Sequence, residues 1–119
     1  MNKEIDVAAA YAIPTDQLLL TWYDSELLRT TGIGYDEAQS FGADFVKSFS
    51  RWCADHSLKT KVCDEWEYCR KLKAHGRKVD LVLALTGFLS AILVISAVGA
   101  VSAAVLIVRE GLGVACECD

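Results

Sequence analysis

The chain has 119 residues, 53% hydrophobic and 24% charged, with a formal net charge of −4, a length that holds about one small domain. The acidic balance argues against nucleic-acid binding, which needs a basic face. Residues 1–80 hold 11 of the 12 Lys and Arg and 13 of the 16 Asp and Glu, whereas residues 81–108 hold no charge.

Residues 1–6 carry mixed charge and no apolar stretch follows them, so a secretory signal is not expected. A short helix is predicted over residues 4–13, closed by Pro14. Thr15 is the expected N-cap of a second helix, and Asp16 suits the positive end of its dipole. Leu18, Leu19, Trp22, Leu27 and Leu28 form its apolar side. Gly32 and Gly34 end it, since glycine tolerates the left-handed cap. They lack the full glycine pattern and the preceding strand of a phosphate loop.

A third helix is predicted from Tyr35 or Asp36. Ala38, Phe41, Phe45, Phe49, Trp52 and His56 recur at spacings of three or four, a helical stripe. A fourth begins near Thr60, with Val62, Trp66, Cys69 and Leu72 on one side and a Glu67–Lys71 pair at i,i+4. It can continue through Gly76 into the next segment, with the glycine as a possible hinge. Trp22, Phe41, Phe45, Phe49, Trp52 and Trp66 are expected to pack in the core of a small bundle or against a partner subunit.

The uncharged run 81–108 is the strongest signal in the chain. A transmembrane helix needs about 20 apolar residues, and 28 reach about 42 Å. The fold expected is therefore all-α: a cytoplasmic helical region over 1–80, a single transmembrane helix over 81–108 and a short acidic tail over 109–119. A buried core helix is the competing reading. It is set aside because 80 residues are too few to surround so long an apolar rod. Arg70, Lys71, Lys73, Arg77 and Lys78 precede the run and only Arg109 follows it. The positive-inside rule then places the N-terminus in the cytoplasm and the C-terminus outside, a tail-anchored layout. The five basic residues are also expected to meet anionic lipid headgroups. Gly87, Ala91, Ser96, Gly99, Ala100, Ala103 and Ala104 form a small-residue face suited to close helix packing in a membrane.

The five cysteines, Cys53, Cys63, Cys69, Cys116 and Cys118, show no even framework, so free thiols in a reducing compartment are expected. Cys53, His56, Cys63 and Cys69 suggest a metal site. However, Cys63 and Cys69 stand about 120° apart around a helix axis and about 9 Å along it, too far to share one ion, so no metal or other cofactor is expected. Cys116 lies fourth from the end, but its followers are not aliphatic and prenylation is rejected. No nucleophile–base pair or oxyanion loop supports an enzyme. Two function classes follow. The first is an accessory or scaffold subunit of a membrane assembly, with lipids and other protein subunits as partners. The second is a self-oligomerising, holin-like or toxin-like pore former.

Overall fold

The computed structural model describes residues 7–118. Pro14 ends the first helix, α1 (Val7–Tyr11), and serves as the N-cap of α2 (Thr15–Glu26), with Thr15 as its first helical residue. A proline suits this place because its missing N–H has no helical acceptor to lose. Residues 4–6 of the expected first helix lie outside the described residues. The second helix breaks at Leu27 and resumes as α3 (Leu28–Thr31), which Gly32 closes at φ +73.

The aromatic stripe is carried by two helices, α4 (Tyr35–Ser40) and α5 (Phe45–Asp55), with Gly42 at φ +80 between them. Asp44 caps α5 by accepting a hydrogen bond from the Lys47 amide at 3.1 Å. That side-chain bond replaces a missing helical partner and starts a new helix. The break removes Phe41 from the stripe. It stands 72% exposed, outside the bundle core, which leaves the partner contact as the remaining half of the expectation for it.

The predicted fourth helix is likewise divided: α6 (Leu58–Thr60), a π-helical turn (Lys61–Glu65) and α7 (Tyr68–Ala74). Glu67, at φ +60, separates the turn from α7. His75 and Arg77 are extended, so α7 does not run on through Gly76.

The single transmembrane helix expected over 81–108 is not formed. The run is two helices, α8 (Lys78–Ile92) and α9 (Ala97–Glu110), joined as a helical hairpin. Among the described residues no helix is long and apolar enough to cross a membrane. At about 1.5 Å per residue each helix reaches about 21–22 Å, short of the roughly 30 Å of hydrocarbon. Leu93 is extended, and the Ser96 hydroxyl accepts a hydrogen bond from the Gly99 amide at 3.0 Å, which restarts the helix. Folding back also removes the objection to burial: α8 covers part of α9, and α2 and α1 cover more of it.

The fold is an all-α bundle with no strand among the described residues. Helix α9 is its axis, and Gly99 through Val108 are all buried. One hydrophobic cluster runs from Val7 to Val114 and joins helices from both sides of residue 80. Its aromatic part centres on Trp22, which meets Phe49 edge-on at 5.0 Å and Trp52 at 5.6 Å between ring centroids. Edge-to-face pairs of this kind add to the gain from buried area alone.

Candidate functional site: an apolar hairpin and its disulfide clasp

Helix α8 is apolar on the face it turns outward as well as on the face it buries. Leu81, Val82, Leu85 and Leu89 point into the core. On the opposite side Leu83 is 58% exposed, and Gly87, Ser90 and Ala91 are exposed after it. Val94, at the bend, is 97% exposed, and Val98 at the start of α9 is 49% exposed. Residues 83, 87, 90 and 91 recur at helical spacing on α8, so they form one stripe, and Val94 stands beyond it in the bend. A helix facing water normally carries charged or polar residues there. This one carries a single hydroxyl and no charge.

The small residues divide between the two helices. Gly99, Ala100, Ala103 and Ala104 lie buried on α9. A Cβ at Gly99 would come 2.7 Å from Glu26 Oε2, so this glycine lets α2 approach the first turn of α9. Gly87 and Ala91 lie on the exposed stripe, and Gly87 has no atom near a would-be Cβ. Ser96 is the N-cap of α9. The expected small-residue face is thus not one surface.

Four of the five cysteines are paired, against the expectation of free thiols. Cys63 bonds Cys116 and Cys69 bonds Cys118, with Cα–Cα distances of 5.5 and 5.2 Å. Both bonds join the same two stretches, the π-helical turn with α7 and the chain after α9. The only trace of this in the sequence is the grouping of Cys63 near Cys69 and of Cys116 near Cys118, which does not give the bonds between the two groups. Cys53 keeps a free thiol, buried beneath Gly113, and burial pushes its pKa up to about 12. Cys63 and Cys69 therefore cannot serve with Cys53 and His56 as metal ligands. His56 instead meets the Trp52 carbonyl through Nδ1 at 2.9 Å.

Arg77 and Lys78 lie at the start of α8, opposite the bend of the hairpin, whereas Lys71 lies beside its later turns. Arg70 pairs with Glu67 at 3.5 Å and Arg77 with Asp80 at 3.1 Å. The hydrogen bond and charge of Arg77 hold the Asp80 carboxyl below its ordinary pKa. Lys71 Nζ stands 5.5 Å above the Trp66 ring, and Trp66 stacks on Phe88 of α8 at 5.8 Å. Lys73 and Lys78 are exposed. At the far end of α9, Arg109 donates to the carbonyls of Tyr11 and Ile13, both at 2.6 Å, and to Thr15 Oγ1 at 3.2 Å. These carbonyls end α1, where a cation is favoured. In the sequence Arg109 is only a charge flanking the apolar run, because its partners lie more than 90 residues away.

Trp22, Phe45, Phe49, Trp52 and Trp66 are buried within the bundle. A groove of about 610 Å³ lies beside them, lined by Asp16, Leu20, Tyr35, Asp44, Phe45 and Val46 among others. Its lining contains no histidine, cysteine or lysine.

No protein-family model matches the chain, and searches of curated proteins and of solved structures returned no match.

Proposed function

We propose that this is a non-enzymatic membrane-associating protein whose hairpin 78–110 enters a lipid bilayer bend first. It belongs with the effector class of the two functions expected from the sequence. The observation that carries the reading is the outward face of α8 with the bend after it, which carries no charge from Leu83 to Val94 and leaves Leu83 and Val94 exposed. Placing such a face in water forfeits about 25 cal/mol for each Å² that lipid could cover. The hairpin geometry suits partial entry. Fifteen residues of α8 reach about 22 Å, so a bend past the bilayer midplane leaves Arg77 and Lys78, at the start of α8, at headgroup level. There each basic residue contributes about 1 kcal/mol toward an anionic surface.

Accessory-subunit function in a membrane assembly is the second reading, and exposed Phe41 favours it. Large aromatic side chains are enriched at protein interfaces.

The test is co-flotation of the full chain with vesicles of phosphatidylcholine and phosphatidylserine, together with release of an entrapped dye. Flotation is expected, and Val94→Asp and Leu83→Asp are each expected to reduce it. Flotation that neither substitution changes would remove the hairpin reading. No flotation, with Phe41→Ala abolishing capture of a co-purifying subunit, would put the accessory reading first.

A further inference from the structure

We infer that the two disulfides select how the run 81–108 can meet a bilayer: closed, they permit only a re-entrant hairpin, and opened, they permit a single crossing. The inference rests on the membrane reading above and adds its regulation.

Topology carries the case. Both bonds close around the whole hairpin, and they hold the chain before α8 and the chain after α9 together at Cα–Cα distances of 5.5 and 5.2 Å. The two ends of the apolar run therefore stay on one side of any bilayer it enters. A single crossing would need the segment from Val108 to Cys118 to return through the hydrocarbon. Ten extended residues reach about 35 Å, which is long enough. Their backbone N–H and C=O groups would nevertheless lie in lipid without partners, which excludes that path. One closed disulfide suffices to impose the constraint, so both must open to lift it.

The bend itself does not forbid straightening. Residues 93–96 are Leu, Val, Ile and Ser, with no glycine or proline and no positive φ among them. A helix recovered across this bend spans about 42 Å over 81–108, enough for one tilted crossing. Residues 1–80 and the acidic tail would then lie on opposite sides, the cytoplasmic and outer placements that the basic residues favour.

The redox step balances with a dithiol as reductant. A thiolate of the dithiol attacks one sulfur, and the mixed disulfide resolves as the second thiol displaces the protein sulfur. Cys63 and Cys116 end as two thiols and the reductant as a disulfide, with two electrons and two protons transferred. A second dithiol does the same for Cys69 and Cys118. Cys53 takes no part, since its thiol is buried and held protonated.

The experiment adds the full chain to preformed phosphatidylcholine–phosphatidylserine vesicles with or without dithiothreitol. A glutamate-specific protease is then applied outside, and cleavage is read by mass after denaturation and reduction. Oxidised protein is expected to float and be cut at both Glu65 and Glu117. Reduced protein is expected to float, keep the Glu65 cut and lose the Glu117 cut until detergent is added. The quadruple Cys→Ser variant at positions 63, 69, 116 and 118 should match the reduced protein without reductant. Cys63→Ser/Cys116→Ser alone, still clasped by Cys69–Cys118, should match the oxidised one. Flotation with Glu117 cut equally in all states overturns the redox selection and leaves the membrane reading standing. Loss of Glu117 cleavage in the singly clasped variant overturns it as well. Absence of flotation in every state overturns both.

Discussion

The two disulfides share their loops, and this makes their energetic effects separable from those of two independent crosslinks. Cys63–Cys116 has a sequence separation of 53 and Cys69–Cys118 one of 49. With neither bond present, closing the first loop removes denatured-state entropy equivalent to about 4 kcal/mol. With one closed, the other adds only a small loop: six residues from Cys63 to Cys69 and two from Cys116 to Cys118. On the same relation that loop of about eight residues contributes about 2.5 kcal/mol. Removing either pair, as Cys63→Ala/Cys116→Ala or Cys69→Ala/Cys118→Ala, should therefore cost about 2.5 kcal/mol, and removing both about 6.5 kcal/mol. The loss from both exceeds twice the loss from one by about 1.5 kcal/mol, and it approaches the whole stability of a typical domain. Urea unfolding of the three variants at fixed pH measures all three numbers. Single-pair losses of about 4 kcal/mol each, adding to about 8, would show independent loops and refute the shared-loop arrangement.

Four other outcomes are expected. Phe49→Ala should cost about 3–5 kcal/mol in the same assay, because the ring is fully buried against Trp22 and Trp52, whereas Phe41→Ala should stay within about 0.5 kcal/mol. Equal costs would mean the break between α4 and α5 is misplaced. Ala100→Leu should lose about 1–3 kcal/mol by overpacking a buried position of α9, while Gly87→Ala on the open face of α8 should gain about 0.5–1 kcal/mol. A loss at Gly87 would restore it to a contact face. Arg109→Met should cost about 1–3 kcal/mol by orphaning the carbonyls of Tyr11 and Ile13, and hydrogen exchange at α1 should rise with it. Cys53, with its folded pKa raised from 9.0 to about 12, favours the folded state most while protonated. Its contribution is complete below about pH 9 and is lost as pH rises toward 12. Cys53→Ala should flatten that alkaline loss, and a maleimide at pH 8 should label Cys53 only after denaturation.

The helical class was legible because its signals are local. Pro14, the left-handed cap at Gly32 and the α5 part of the aromatic stripe each act within a few residues. The breaks at Gly42 and Glu67 are less visible, since an i,i+4 pattern carries across a short interruption without losing phase. The single span over 81–108 failed for a different reason. Hydropathy reports that the run avoids water, but not whether lipid or protein covers it. Ser96 was the available clue: a serine with a free amide three residues on is an N-cap, which marks a helix start inside the run. The disulfides were out of reach because each joins residues about fifty positions apart, and the expected topology put their partners on opposite sides of a membrane. The clasp of Arg109 on α1 spans a still longer separation.

The central position of α9 has a consequence for how the protein is made. Its first-turn neighbour α2 and the terminal carbonyls of α1 are synthesised long before it, with Arg109 following Tyr11 by 98 residues. At ribosomal rates of roughly 5–20 residues per second, that is a wait of about 5–20 s. During it Trp22, Leu18 and Leu19 have no α9 to cover them, and α8 emerges with both of its apolar faces bare. Closure of the bundle is therefore a race between completing α9 and capture of the nascent chain by whatever binds exposed apolar helices in the cell.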